Sequence, residues 1–408
     1  MNKVKIQRKA EIGDVAITLP ASKSIANRAL IIDALAGGGS HIDNISEARD
    51  TQTMQRLLAS RDTELNVLDA GTTMRFLTAY LAVSGKNKVL TGTQRMCERP
   101  IKILVDALQE LGANISYVQK EGYPPLNIQA FNQQLADSLK VRGDISSQYI
   151  SALLMIAPTL PRGLTIELTG KVGSRPYISM TLKVMEAFGA QAEWTDNVIT
   201  IPAQAYIPAN YHVEPDWSAA SYWYSMAALS TDGEILLTGL QEASIQGDRV
   251  IADIMDPLGV ETQFIGEGAV LRRKNHVDKT YIDFTHCPDL AQTVTVVCAL
   301  KGIQCNMIGL ESLRIKETDR IAALQNELGK LGGTISESEG RWTLIPPANV
   351  NGNEEITINT YEDHRMAMAF GPLATRMDVS ILDPSVVNKS YPGYWKDLEL
   401  ADFSLSQS

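Results

Sequence analysis

Apolar residues recur at helical spacing at Ile321, Leu324, Leu328 and Leu331, which predicts an amphipathic helix late in the chain. Ahead of it runs Leu313-Arg314-Ile315-Lys316-Glu317-Thr318-Asp319-Arg320, with three cations and two acids. The spacing predicts that this cluster lies at or near the helix N-terminus, with Lys316 and Arg320 on one face. Cations there oppose the helix macrodipole by tenths of a kcal/mol each, so the cluster needs either local partners or a bound anion. Alone, the stretch reads equally well as a solvated, salt-bridged helix start.

The same alternation recurs along the chain: an apolar helix, a glycine, then two short β-like runs joined by a turn. Four copies are legible, at Leu108–Ile115, Met185–Ala190, Met255–Val260 and Leu328–Ile335. Their glycines, Gly112, Gly189, Gly259 and Gly332, fall where a helix C-terminus favours positive φ. A period of roughly 70 residues gives about six such units, which suggests two groups of three. The first unit is irregular: roughly ten residues separate Leu58 from Asp69, too few for two full strands and a turn, so a hairpin strand is expected to be missing there. A break between the groups is expected around Ile207-Pro208-Ala209-Asn210, before Asp216-Trp217-Ser218 opens another helix.

Composition narrows the function. A chain of 408 residues, 44% hydrophobic, can bury two cores, and no apolar run reaches the length of a membrane span. The basic start of the chain lacks an apolar stretch after it, which points to a cytoplasmic protein rather than a secreted one. Four cysteines without a CxxC pair argue against structural disulfides and a zinc cluster. A net charge of −10 disfavours nucleic acid, so any anion site must be local and concave.

Local sites are what the helix openings offer. Ser22-Lys23-Ser24-Ile25-Ala26-Asn27-Arg28, Asp69-Ala70-Gly71-Thr72-Thr73-Met74-Arg75, Ser146-Ser147-Gln148, Ser174-Arg175-Pro176-Tyr177 and Asp363-His364-Arg365 each lead into an apolar run. Backbone N–H groups at a helix start bind anions, and so many donor-rich openings exceed what capping requires. Arg99 and Lys389 sit in proline-containing loops. If these elements converge, Lys23, Arg28, Arg99, Lys316, Arg320, Arg365 and Lys389 form a cluster suited to substrates with several phosphates and carboxylates. Taken singly, Ser146 or Ser174 is more often only a cap, and His364 more often structural than catalytic. Neither a GxxxxGK[ST] loop nor a strand-linked GxGxxG is present, which disfavours ATP and NAD; a nucleophile elbow and HExxH are absent too.

Nearly end to end, the chain resembles the 5-enolpyruvylshikimate-3-phosphate synthase family. The resemblance is carried by LPASKSIANRAL from Leu19, DAGTTMR from Asp69, LTGTQRMCERPI from Leu90, GDISSQYISALL from Gly143, GSRPYI from Gly173, RIKETDRI from Arg314, YEDHRMAM from Tyr361 and NKSYP from Asn388. It implies an α/β (α+β) enolpyruvyl transferase fold, an inverse α/β barrel-like arrangement of six βαβαββ-type units, three per domain. Residues 1–19 and 215–408 would form one discontinuous domain and residues 20–214 the other, with the active site in the interdomain cleft. The implied reaction moves the enolpyruvyl group of phosphoenolpyruvate to the 5-hydroxyl of shikimate 3-phosphate and releases phosphate, with no cofactor or metal, in a monomer that glyphosate inhibits at the phosphoenolpyruvate site. Such a reaction needs a base for the hydroxyl, an acid for the methylene carbon and cations around an anionic intermediate.

Residue by residue, the resemblance implies that Lys23, Ser24, Arg28, Ser146, Ser147, Gln148, Ser174, Tyr177, Asp289, Ser312 and Lys316 hold shikimate 3-phosphate. Lys23, Asp69, Gly71, Thr72, Arg99, Gln148, Glu317, Arg320, His364, Arg365 and Lys389 would hold phosphoenolpyruvate. For proton transfer it implies Asp289 as base, with Lys23 sharing that role, and Glu317 helped by Lys389 at the methylene carbon. Four positions depart from the family pattern: Asp69 and Ser312 stand where Asn is usual, and Phe76 and Arg175 are uncommon. An acid at Asp69 near a bound phosphate calls for a compensating cation. Two rivals stay open: a sister transferase acting on UDP-N-acetylglucosamine through a loop cysteine, for which only Cys97 could serve, and a non-catalytic module that binds a phosphorylated acid.

Overall fold

The computed structural model describes residues 2–407 apart from Ala130, Asn351 and Asn353, and its sheets share one plan. Each begins with a parallel pair of strands, and five of the six add two antiparallel strands to it. Glu64–Asn66 and Lys88–Thr91 run parallel, for example, and Leu126–Gln129 and Asn114–Tyr117 complete the sheet as a hairpin. The sixth sheet is only the parallel pair His41–Asp43 with Asn210–His212. This is the irregular first unit, reduced to two strands because the chain between the helix Arg49–Ala59 and the helix Gly71–Val83 has room for only Glu64–Asn66.

The chain divides into two compact units, Met1–Pro20 with Glu214–Ser408, and Ala21–Val213. The N-terminal segment belongs to the discontinuous unit because its strands complete two sheets there. Lys3–Ile6 lies between Val379–Leu382 and Leu405–Gln407, and Val15–Thr18 pairs in parallel with Glu234–Thr238.

Helices that lack a polar face are buried on nearly every side. In the discontinuous unit these are Trp217–Leu229, Ala291–Lys301 and His364–Phe370. In the continuous unit they are Gly71–Val83 and Ser147–Ile156. Aromatic polar tips inside the core are satisfied: Trp223 Nε1 donates to Tyr391 Oη at 3.1 Å, and that hydroxyl donates to Asp397 Oδ2 at 2.6 Å. The repeat glycines all carry positive φ, Gly112 at 107°, Gly189 at 85°, Gly259 at 102° and Gly332 at 87°, so each helix turns sharply into its hairpin.

One expectation about the charged stretch fails. The amphipathic helix is Arg320–Gly329, with Asp319 as its N-cap, and Glu311–Ile315 form a separate 3₁₀ turn. Lys316 therefore precedes the helix and shares no helical face with Arg320. Asp319 Oδ1 accepts from the backbone of Ile321 and Ala322, both at 3.1 Å, so a local carboxylate already opposes the cations at this start.

Candidate active site

Helix starts are finished in more than one way. In the continuous unit, the helices beginning at Lys23, Gly71 and Arg175 take no hydrogen bond from their N-cap side chains. Ser174 holds a left-handed conformation (φ 50°) with its hydroxyl not used as a cap, whereas Ser146 does cap, accepting from Gln148 N at 3.4 Å. In the discontinuous unit two further starts are capped by carboxylates, Asp216 accepting from Ser218 N at 2.8 Å and Asp363 from Arg365 N at 2.9 Å, whereas the helix Ala291–Lys301 has no side-chain cap. Uncapped starts leave backbone N–H groups of the kind that bind anions.

Around those starts the continuous unit gathers polar side chains. Lys23 Nζ lies 3.1 Å from Asp50 Oδ2, a carboxylate that is itself buried. Gln148 Nε2 donates to Thr72 Oγ1 at 3.1 Å, tying the helix Ser147–Ile156 to the start of Gly71–Val83. Arg99 is buried against Gly71, where an added Cβ would stand 2.8 Å from its Nη1. Arg75 braces that loop by donating to Pro100 O at 3.0 Å.

Arg28 is the most unusual of these groups. It is almost fully buried, and its donors go only to neutral oxygens: Nε to Thr181 Oγ1 at 2.7 Å, Nη1 to Ser24 O at 2.8 Å and Nη2 to Ser151 Oγ at 3.0 Å. Among the described residues no carboxylate pairs with it, and burial pulls its pKa down to about 10. Tyr177 faces it through a backbone carbonyl, 3.5 Å from Nη2, and Ser24, Ser147 and Tyr177 remain partly exposed.

In the discontinuous unit, Lys316, Arg320, Arg365 and Lys389 interleave with Asp248, Asp289, Glu317 and Asp363. Arg320 donates to Asp363 Oδ2 at 2.7 Å, to Glu317 Oε2 at 3.0 Å and to Asp289 Oδ1 at 3.2 Å. Burial opposes its charge, but these three carboxylates hold it protonated, above the ordinary arginine value. Lys389 Nζ lies 3.4 Å from Glu317 Oε1, so Glu317 bridges two buried cations. Arg365 reaches Asp289 Oδ2 and the Asp289 carbonyl, both at 3.0 Å.

Burial would raise the pKa of Asp289, but Arg365, Lys316 and Arg320 outweigh it and hold the carboxyl far below the ordinary range. Asp248 moves the other way: burial and the nearby Asp289 push it up to about 7, against Arg365, and it accepts from Ser218 Oγ. His364 is buried with Nδ1 3.5 Å from Asp363 Oδ1, and Ser312 is exposed on its 3₁₀ turn. No group of described residues has the His, Cys, Asp and Glu side chains to hold a metal ion. Nor is any helix among them long and apolar enough to cross a membrane.

The family model described as EPSP synthase (3-phosphoshikimate 1-carboxyvinyltransferase) matches residues 12–60 and 54–398. The chain belongs to the EPSP synthase family. It is 48% identical over 392 residues to the 3-phosphoshikimate 1-carboxyvinyltransferase of Bacteroides fragilis, covering 95% of each chain. It is 38% identical to the protein of the same name from Vibrio cholerae, covering 93% of this chain and 95% of that one. An EPSP synthase structure from Acinetobacter baumannii matches the fold with a TM-score of 0.80 at 19% identity, over 100% of both chains.

The departures from the EPSP synthase pattern have local explanations. Asp69 receives two hydrogen bonds from Arg49 Nη2, both at 2.9 Å, so the extra acid carries its own cation. The Phe76 ring lies under the Arg28 guanidinium, 5.2 Å from its centroid, and Arg175 stacks on Trp194 at 4.5 Å. Nothing in the structure explains Ser312. Reading the sequence missed Asp50, Ser218, Asp248 and Asp363 as partners of the candidate groups. Asp50 had a signal, since Glu-Ala-Arg-Asp before an amphipathic run marks a helix start. Asp248, in an unremarkable Gln-Gly-Asp-Arg loop, had none.

Proposed function

We propose that the chain transfers the carboxyvinyl group of phosphoenolpyruvate to the 5-hydroxyl of shikimate 3-phosphate. The observation that carries this is Glu317, an acid held between Arg320 and Lys389 within a cluster of four cations. Such a group can move a proton at carbon while the surrounding cations hold the phosphate and carboxylate of the same substrate. In the first step the hydroxyl oxygen bonds to C2 of phosphoenolpyruvate, its proton leaves, and C3 gains a proton to become a methyl group. In the second, the C2–O bond to phosphate breaks and the methyl group returns a proton, restoring the double bond.

Glu317 serves C3 in both directions. Asp289, which three cations keep in the ionised form that a base requires, orients the hydroxyl and takes its proton, while Lys23, an ammonium paired with Asp50, stabilises the charge that develops on that oxygen. Arg99, Arg320, Arg365 and Lys389 bind phosphoenolpyruvate, with Gly71 and Thr72 beside its phosphate, while Ser146, Ser147, Ser174 and Arg28 bind shikimate 3-phosphate. Glyphosate takes the phosphoenolpyruvate place, and the protein works in the cytoplasm as a monomer. The test is release of inorganic phosphate from phosphoenolpyruvate. We expect it only when shikimate 3-phosphate is present, with Lys23→Met and Arg99→Ala both crippled. Release without the second substrate, or none with both, would refute the proposal.

A further inference from the structure

Immediately before Asp363 the chain makes a tight turn, closed by Asp363 N donating to Thr360 O at 2.9 Å. Both central residues have positive φ, Tyr361 at 54° and Glu362 at 57°. Turns with two positive-φ residues strongly favour Asn-Gly, because a Cβ meets its own backbone there. A Tyr-Glu pair holds such a shape only if the surroundings impose it.

One carboxylate imposes it. Glu327 is fully buried on the inner stripe of the helix Arg320–Gly329, two turns beyond Arg320. Its Oε1 accepts from Tyr361 Oη at 2.7 Å and from Asn359 Nδ2 at 3.3 Å, and its Oε2 accepts from Asn359 N at 3.2 Å and from Lys330 Nζ. The helix therefore grips the turn twice, through Glu327 on its entry side and through the Arg320–Asp363 pair on its exit side. The exit residue Asp363 caps the helix that carries Arg365.

We propose that Glu327 is a positioning residue. By clamping the left-handed Tyr361–Glu362 turn it fixes Asp363, and through Asp363 the placement of Arg320 and Arg365 on phosphoenolpyruvate. The last clause rests on the function proposed above; the clamp itself does not. A helix residue that only packed would show itself in stability, whereas a clamp shows itself in the turn and in one substrate.

Glu327→Gln and Tyr361→Phe test this by amide hydrogen exchange over residues 359–366 together with steady-state kinetics. Exchange in that segment should rise about tenfold or more. The KM for phosphoenolpyruvate should rise about tenfold while that for shikimate 3-phosphate stays within about twofold, as expected for a slight misplacement of two charged groups. In the Glu327→Gln background, Glu362→Gly removes the side chain that resists the left-handed shape and should recover most of the lost affinity. Unchanged exchange, equal shifts in both KM values, failure of that rescue, or a lower melting temperature alone would overturn the proposal. If the unaltered protein releases no phosphate with either substrate present, the function proposed above fails, and the exchange data still decide whether Glu327 holds the turn.

Discussion

Arg28 is a cation that the fold carries at a loss until a ligand arrives. Burial lowers its pKa from the ordinary arginine value to about 10, which corresponds to about 3 kcal/mol of destabilisation at neutral pH. The sign follows because the unfolded chain binds this proton more tightly than the fold does; the cost is full below about pH 10 and fades as pH rises beyond it towards the ordinary arginine value. Arg28→Met removes the charge and keeps the apolar stem. It strands no hydroxyl, because Ser151 Oγ and Thr181 Oγ1 lie 2.8 Å apart and Thr181 also donates to Tyr177 O at 2.8 Å. The lost charged hydrogen bonds and the relieved burial are of similar size, so the ligand-free variant should match or exceed the native stability to within about 2 kcal/mol, a few degrees in melting temperature. Affinity for shikimate 3-phosphate should fall about 10- to 100-fold, the worth of a lost charge-assisted contact. Thermal melts with and without that ligand read both quantities, with titration calorimetry as a check. A variant that melts many degrees lower when empty yet binds shikimate 3-phosphate normally would refute the reasoning.

Gly71→Ala places a methyl group 2.8 Å from Arg99 Nη1, and the guanidinium is the part that can move. The KM for phosphoenolpyruvate should rise by about 10-fold or more with the melting temperature nearly unchanged; an unaltered KM would contradict the assignment of Arg99. The Asp248 carboxyl, pushed up to about 7, stays protonated in the fold while the unfolded chain ionises near 3.8. Native stability therefore declines as pH rises through that window, and Asp248→Asn should gain on the native protein between pH 5 and pH 8. An offset in melting temperature that is the same at both pH values would count against a buried, protonated Asp248.

Much of this was legible in the sequence because it rests on local rules. The repeat period and the glycines at 112, 189, 259 and 332 are set by helix termination, and the missing hairpin by chain length alone. The candidate cations were legible as donor-rich helix openings. What the sequence hid was pairing between distant elements. Lys316 looked like a helical neighbour of Arg320, whereas a 3₁₀ turn ends before it and both instead approach Asp289 from outside one helical face, at 3.8 and 3.2 Å. Nor could it show that Arg320 is already neutralised by three carboxylates, or that Asp289 lies among three cations that keep it ionised. Arg28 reads as one more cation in its segment, and only its burial among hydroxyls marks it as lacking a counter-charge.

The most direct test of the proposed chemistry follows the methylene carbon. With phosphoenolpyruvate and shikimate 3-phosphate in D₂O, proton NMR of the product should show a carboxyvinyl group on the 5-oxygen with deuterium in its methylene, because C3 passes through a methyl group that Glu317 protonates and deprotonates. Pyruvate and phosphate with untouched shikimate 3-phosphate, or a transferred vinyl group free of deuterium, would contradict it.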